Sequence, residues 1–151
     1  MSASYESLPP NLPVPEDDGA ADHLTGLTLP PLVLSVAGDG SNFDLREAAT
    51  IGTLVAFVYP RTGTPGQPLV PGWDDIPGAR GCTPQSCAFR DRHFALDGLG
   101  AVVAGISAMD PAEQQAFAER EALPYPLLND GPLQLRDELG LPTFEVHGTT
   151  L

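Results

Sequence analysis

The only two cysteines of the 151-residue chain, Cys82 and Cys87, lie five residues apart in the segment GCTPQSCAFRD. Pro84 suits the first turn of a helix that begins at this segment. A thiol at a helix N-terminus gains from the helix dipole and from free backbone amides, which lower its pKa and make it a better nucleophile. We therefore expect Cys82 to be the reactive thiol, with Arg80 and Arg90 as candidate cations nearby.

The spacing separates the two sulfur atoms while the helix is intact. Five residues of α-helix rise ~7.5 Å, turn ~500° and leave the two Cα atoms ~8.6 Å apart. A disulfide needs Cα atoms within about 7 Å of each other. Bond formation between Cys82 and Cys87 would therefore require local unwinding. The pattern indicates attack by Cys82 on an oxidant, followed by capture of its oxidised sulfur by Cys87.

Three other uses of the two cysteines are open at this point. Both could be small hydrophobic residues of a helix that packs against the core. A structural zinc site needs four ligands, and Cys82, Cys87 and His93 supply only three, with no second Cys or His pair at hand. A general disulfide oxidoreductase would use Cys-x-x-Cys, with two residues between the thiols instead of four.

The composition is that of an acidic protein of one domain. The chain has 20 acidic and 7 basic residues and a formal net charge of −13. Such a surface disfavours nucleic acid and anionic membranes as partners, and no apolar run approaches the ~20 residues of a membrane helix. The N-terminal residues MSASYESLPP lack the basic and apolar regions of a secretory signal, so we predict a cytoplasmic protein.

Residues 1–23 differ in composition from the rest of the chain. They contain four prolines and five acidic residues but no basic residue. Such a stretch buries too little apolar surface to offset its chain entropy, so we predict a disordered acidic Pro-rich tail. Residues 24–151 are long enough for one domain of ordinary size.

Strand and helix patterns alternate within that domain. Apolar residues around Leu34, followed by the turn-forming AGDGSN, predict an antiparallel ribbon. The continuous apolar run GTLVAFVYP predicts a central strand buried on both faces, and AVVAGISAM predicts a second buried strand. Asp110 and Pro111 begin a predicted helix in DPAEQQAFAEREAL, and YPLLND and GPLQLRDELG predict a short strand and a short helix. The Gly- and Pro-rich segment RTGTPGQPLVPGWDDIPGARG predicts a long loop. The alternation favours an α/β domain with helices flanking a mixed sheet.

The cysteine segment resembles the active site of a known family. GCTPQSCAFRD is similar to the Q-type peroxiredoxins, also called bacterioferritin-comigratory proteins, of the AhpC/TSA thioredoxin-like superfamily. In that family a Gly-Cys-Thr turn precedes a second cysteine and an Arg-Asp pair. The resemblance extends over roughly residues 24–151 and includes GTLVAFVYP, VVAGISAMDPAEQQAFAEREALPYPLLND and LRDELG. It implies a thioredoxin-like fold with a central mixed sheet flanked by helices.

The resemblance also implies a thiol peroxidase. Cys82 would be the peroxidatic cysteine, which attacks hydrogen peroxide or an organic hydroperoxide and becomes a sulfenic acid. Cys87 would be the resolving cysteine, forming an intramolecular disulfide that a thioredoxin-type reductant reduces. No metal, flavin or haem cofactor is implied, and we expect a monomer or a weak dimer.

Two departures from the family pattern bear on catalysis. The family places a threonine three residues before the reactive cysteine, where this chain has Ala79, so Thr64 and Thr83 are the candidate replacements. Family members also continue with a strand that bears an active-site arginine, whereas this chain stops at Leu151. We therefore expect a C-terminally incomplete domain. The alternative function is a catalytically weakened redox sensor or binding module on the same fold.

Overall fold

A five-stranded mixed sheet with helices on both faces is the centre of the computed structural model, which describes residues 8–151. The strands lie in the order β2-β1-β5-β4-β3 and are β1 (Val33–Val36), β2 (Asn42–Asp44), β3 (Thr53–Val58), β4 (Ala101–Ser107) and β5 (Leu127–Asn129). The helices are α1 (Leu45–Ile51), α2 (Cys82–Gly98), α3 (Pro111–Arg120) and α4 (Gln134–Leu139). A hairpin of β6 (Glu145–Val146) and β7 (Thr149–Thr150) follows.

The strand pairing places the C-terminal ends of β3 and β4 side by side. Strand β3 runs parallel to β4, from the Thr53 and Ala101 pair to the Val58 and Ile106 pair. Strand β5 is also parallel to β4, whereas β1 is antiparallel to both β2 and β5. Because parallel strands end at the same side, the segments that follow β3 and β4 lie close together there.

Side chains of the central strands alternate between two apolar clusters, as the two-residue period of a strand requires. Phe57, Val103 and Leu127 point to the face that α2 and α3 cover. Their strand neighbours Ala104 and Leu128 point to the opposite face, which α1 and α4 cover. The sheet is therefore buried on both sides, which is the predicted arrangement of helices around a mixed sheet.

Most of the predicted elements are confirmed. The ribbon is β1 with β2, the second buried strand is β4, and the short strand and helix are β5 and α4. Asp110 caps α3, since its carboxylate accepts hydrogen bonds from the backbone amides of Ala112 at 2.9 Å and Glu113 at 3.2 Å. Gly140 ends α4 with a φ of 61°, in the left-handed region that favours glycine.

The prediction that GTLVAFVYP is a central strand buried on both faces is wrong. Strand β3 lies at the edge of the sheet formed by the described residues, where it pairs with β4 alone. The Val58 side chain is 52% exposed. A continuous apolar run predicts a strand, but the run does not show which other strand lies beside it.

The predicted tail over residues 1–23 falls in part outside the described residues, which begin at Leu8. Within them, Leu8 lies against Gly81 and Pro15 lies against Gly78, close to the start of α2. The disorder of this segment stays a prediction. No helix among residues 8–151 is both long and apolar enough to cross a membrane.

A close backbone approach at Gly52 generates a stability prediction. Gly52 joins α1 to β3, and a Cβ atom there would collide with the backbone carbonyl oxygen of Gly100, which the β3–β4 pairing holds in place. We expect Gly52→Ala to lower the free energy of unfolding by about 2 kcal/mol through overpacking, measured by urea denaturation followed by circular dichroism.

Gly98→Ala is the matched control for Gly52→Ala. A Cβ at Gly98, the last residue of α2, meets no atom within 4 Å. Its free energy of unfolding should stay unchanged or rise by up to about 1 kcal/mol, because alanine restricts the unfolded chain. Equal stabilities of the two variants would contradict the close approach at Gly52.

Candidate active site

Cys82 is the first residue of α2 and lies beside the C-terminal ends of β3 and β4. Gly81 caps the helix with a φ of 114°, a left-handed conformation that residues with a side chain rarely adopt. This backbone conformation explains why a glycine precedes Cys82. It lets the chain turn sharply from the long loop into the helix and leaves Cys82 beside the free amides of the first turn.

The segment that follows β3 forms one wall of the site. The Ser107 hydroxyl, at the end of β4, donates to the Pro60 carbonyl oxygen at 3.0 Å and holds this segment in place. The backbone N–H of the next residue, Arg61, faces the Cys82 sulfur and lowers the pKa of the thiol. Two parallel strand ends thus position a hydrogen-bond donor against the thiol.

Burial dominates the acidity of Cys82. The residue is 6% exposed, and its thiol donates to the Ala79 carbonyl oxygen at 3.8 Å. Burial raises the pKa of Cys82 to about 11, although the backbone N–H groups of Arg61 and of Cys82 itself lower it in part. The predicted lowering of the Cys82 pKa is therefore wrong for this conformation, because desolvation of the thiolate outweighs the helix N-terminus.

Both candidate cations are paired with carboxylates. Arg80 lines the groove that contains Cys82, but its Nε atom lies 2.8 Å from an oxygen of Asp74. The Nε atom of Arg90 lies 2.9 Å from an oxygen of Asp91. Arg80 thus lines the Cys82 groove as part of an ion pair, whereas Arg90 acts on Cys87.

Two threonine hydroxyl groups lie near Cys82. Thr62 and Thr83 are both buried and line the same small cavity as Cys82. Thr64 lies in the adjoining groove, against α3. Of the two candidates from the sequence, Thr83 lines the Cys82 cavity and Thr64 does not. Thr62 was not predicted, because the course of the loop between β3 and α2 is not readable from its composition.

The long predicted loop between β3 and α2 has a small core of its own. Trp73 is 3% exposed and packs with Ala79 and Val146, and its ring lies 6.0 Å from the ring of Phe144. The loop is therefore anchored on the β6–β7 hairpin. Trp73 also lines the cavity at Cys82, so that this packing closes one side of the site.

Cys87 lies one and a half helical turns further along α2 and is 9% exposed. Its thiol donates to Oε2 of Glu121 at 3.6 Å. Burial raises the pKa of Cys87, and the nearby guanidinium of Arg90 opposes this effect. Glu121 was missed by sequence reasoning because it is 34 residues away and no local pattern connects the two.

Both cysteines are free thiols on an intact helix. The structure thus shows the two sulfur atoms before any bond forms between them. In residues 8–151 no group of three or more His, Cys, Asp and Glu side chains is arranged to hold a metal ion.

Comparisons with known proteins agree on one family. Residues 76–150 match the AhpC/TSA family. The chain is 37% identical over 122 residues to peroxiredoxin Q, chloroplastic, of Gentiana triflora, covering 81% of this chain and 48% of that protein. It is 32% identical over 148 residues to the protein of the same name from Sedum lineare, covering 98% of this chain and 69% of that protein. The chain spans about half the length of several curated relatives that it matches.

Solved structures share the fold. The crystal structure of peroxidoxin BcpB from Mycobacterium tuberculosis superposes with a TM-score of 0.66 and 28% identity, over 84% of this chain and 71% of that one. A structure of Xanthomonas campestris peroxiredoxin Q has a TM-score of 0.58 and 23% identity, over 93% of this chain and 71% of that one. The predicted thioredoxin-like fold is confirmed.

The predicted cytoplasmic location is contradicted by the same comparisons. The relatives from Gentiana triflora, Populus jackii, Triticum aestivum and Arabidopsis thaliana are all named chloroplastic. The prediction relied on the lack of a secretory signal, and that lack does not separate cytoplasmic proteins from plastid proteins, whose import signals have a different composition.

The predicted family membership is confirmed by these relatives. The match to the Sedum lineare protein spans nearly the whole chain and includes the Gly-Cys-Thr turn at the start of α2. The chain belongs to the peroxiredoxin Q group of the AhpC/TSA family.

Proposed function

We propose that the protein is a thiol-dependent peroxidase in which Cys82 is the peroxidatic and Cys87 the resolving cysteine. The observation that carries this proposal is the placement of two free thiols on one helix, with Cys82 at its first residue and facing a groove. Membership of the peroxiredoxin Q group supports it. The substrate is hydrogen peroxide or an organic hydroperoxide.

In the first step the Cys82 sulfur attacks the peroxide as a thiolate. A sulfur–oxygen bond forms, the oxygen–oxygen bond breaks, and the leaving oxygen takes up a proton to depart as water or an alcohol. Cys82 becomes a sulfenic acid. The backbone N–H of Arg61, which faces the thiol and lowers its pKa, is placed to stabilise the sulfur during attack.

In the second step the Cys87 sulfur attacks the sulfenic sulfur of Cys82. The sulfur–sulfur bond forms, the sulfur–oxygen bond breaks, and water leaves. Because five residues of helix separate the two thiols, the first turn of α2 must open before this bond can form. A dithiol reductant of the thioredoxin type then returns both cysteines to thiols.

The first prediction concerns the product of oxidation. We expect one equivalent of hydrogen peroxide to convert the reduced protein to a Cys82–Cys87 disulfide much faster than it oxidises a free thiol. Trp73, the only tryptophan, lines the Cys82 cavity and should report the change in stopped-flow fluorescence. Mass spectrometry identifies the bonded pair.

Two variants separate the roles of the thiols in that experiment. Cys82→Ser should abolish rapid oxidation, whereas Cys87→Ser should still consume peroxide once and keep a sulfenic acid on Cys82 that dimedone traps. Oxidation of the unaltered protein no faster than a free thiol would contradict the peroxidase and favour the redox sensor on the same fold.

The second prediction concerns the hydroxyl group that assists the attack. In the resting site the Thr62 hydroxyl donates to the Met109 sulfur at 3.8 Å, and we expect it to turn to the peroxide bound at Cys82. Thr62→Val should then slow peroxide oxidation of Cys82 by about tenfold, the effect of one lost hydrogen bond of ordinary strength. Thr64→Val is the matched control and should leave the rate unchanged, since Thr64 lies in the adjoining groove. A slower oxidation rate in Thr64→Val than in Thr62→Val would show that the Thr64 hydroxyl assists the attack instead.

The third prediction concerns the dependence of stability on pH. The pKa of Cys82 is about 11 in the folded protein and about 8.5 in an unfolded chain. Because the unfolded chain loses this proton first, the contribution of Cys82 to stability is complete below about pH 8 and is lost as the pH rises towards 11. Urea unfolding at pH 8 and pH 10.5 should show a loss for the unaltered protein that exceeds the loss for Cys82→Ala by about 2 kcal/mol. Equal losses would mean that the thiol is not buried in solution.

A further inference from the structure

A second polar cluster surrounds Cys87 on the side of α2 that faces the end of α3. Its centre is Glu121, the residue that follows α3, whose side chain is only 13% exposed. The Cys87 thiol donates to the Oε2 atom of Glu121 at 3.6 Å. The carboxylate thus contacts one of the two sulfur atoms that react in the proposed function, and none of the steps above uses it.

Two arginines hold the Glu121 carboxylate in place. Arg120 donates from Nε to Oε1 at 3.1 Å, and Nη1 of Arg90 lies 3.8 Å from Oε2. Nη1 of Arg90 also donates to the backbone carbonyl oxygen of Glu121 at 2.9 Å. Two guanidinium groups thus fix the position of the carboxylate, and its Oε2 remains directed at the Cys87 thiol.

We propose that Glu121 accepts the proton of the Cys87 thiol when Cys87 attacks the sulfenic acid of Cys82. This role rests on the proposed function. As the sulfur–sulfur bond forms, the proton passes from the Cys87 sulfur to Oε2 of Glu121. The sulfur–oxygen bond of the sulfenic acid breaks, and the departing hydroxide takes a proton from the carboxylic acid or from solvent and leaves as water.

The charges around Cys87 explain why a base is needed. The groups that face it are Arg90 and Asp91 on α2, Glu121 after α3, and Tyr125 before β5. Burial raises the pKa of Cys87, the cation of Arg90 opposes this, and the anions of Glu121 and Asp91 add to it. The free thiolate is therefore scarce at neutral pH, and a carboxylate within hydrogen-bond reach lets the thiol react without ionising beforehand.

The same cluster determines which part of α2 moves. Tyr125 donates to the Ser86 carbonyl oxygen at 2.7 Å, and Arg90 ties the next turn to Glu121. These bonds anchor the helix from Ser86 onward. The bond from the Ser86 hydroxyl to the Cys82 carbonyl oxygen, 2.8 Å, closes the turn that must open. Unwinding of residues 82–85 therefore carries Cys82 towards a Cys87 that stays beside its base.

The test compares Glu121→Gln with Glu119→Gln. Gln keeps the shape of Glu121 but cannot accept the proton, whereas Glu119 is an exposed residue of α3 that bonds to Gln115. Peroxide oxidation of Cys82 is timed by dimedone trapping in a Cys87→Ser background, and disulfide formation is timed by Trp73 fluorescence with both cysteines present. We expect Glu121→Gln to leave the first rate unchanged and to slow the second at least tenfold at pH 7, with no effect of Glu119→Gln.

The pH profile of disulfide formation separates a proton acceptor from a structural residue. With a carboxylate base, which is ordinarily ionised across the neutral range, the rate should be nearly constant between about pH 6 and pH 8. In Glu121→Gln it should rise about tenfold per pH unit, because Cys87 must then ionise by itself. Glu121→Asp, which keeps the carboxylate, should keep the flat profile.

Each result has a defined consequence. Disulfide formation in Glu121→Gln at the original rate and with the original pH profile would overturn the role of Glu121 and leave the peroxidase intact. If Glu121→Gln does not fold, as judged by circular dichroism, the pH profile of disulfide formation in the unaltered protein is the test. A rate that rises tenfold per pH unit there would equally overturn the proposal. Absence of Cys82 oxidation in the Cys87→Ser background would overturn the proposed function itself, and the role of Glu121 with it.

Discussion

The first turn of α2 keeps the two thiols apart, and the rest of the site depends on that turn. Hydrogen bonds from the Ser86 hydroxyl to the Cys82 carbonyl and from Tyr125 to the Ser86 carbonyl close it and attach it to the core. While these bonds persist, five residues of helix separate Cys82 from Cys87 by more than a disulfide can span. The intact turn presents Cys82 to the groove, and the open turn brings it to Cys87, so one local transition separates the two chemical steps.

Burial has opposite effects on the structure and on the reactivity of Cys82. Its side chain belongs to the apolar cluster that α2 and α3 form with the sheet, alongside Phe57 and Phe117. That packing stabilises the start of α2, but it also removes the thiol from water and keeps it protonated. The helix N-terminus and the Arg61 amide act in the other direction and are the smaller effect here. The intact site therefore holds Cys82 mainly as the thiol, and the small thiolate fraction at neutral pH limits the rate of the first step.

The loop between β3 and α2 shows how an irregular segment can still define a site. Its proline and glycine residues exclude it from the sheet, yet Trp73 supplies enough apolar surface to anchor it on the β6–β7 hairpin. The anchored loop brings Thr62 to the cavity at Cys82 and leaves Thr64 in the neighbouring groove. Ala79, where the resemblance predicts a threonine, packs in the core of the loop. The packing of the loop thus places Ala79 in its core and Thr62 at the Cys82 cavity.

The sequence by itself determined those features that depend on neighbours along the chain. The start of α2 at its Gly-Cys turn, the Asp110 cap of α3 and the two-cysteine spacing all follow from local hydrogen bonding and helical geometry. Only the tertiary structure decided that β3 lies at the sheet edge, that Cys82 is desolvated, and that Glu121 contacts Cys87 across 34 residues. Those outcomes depend on which distant segments pack together, and desolvation and long-range contacts leave no periodic or compositional trace in the segments that make them.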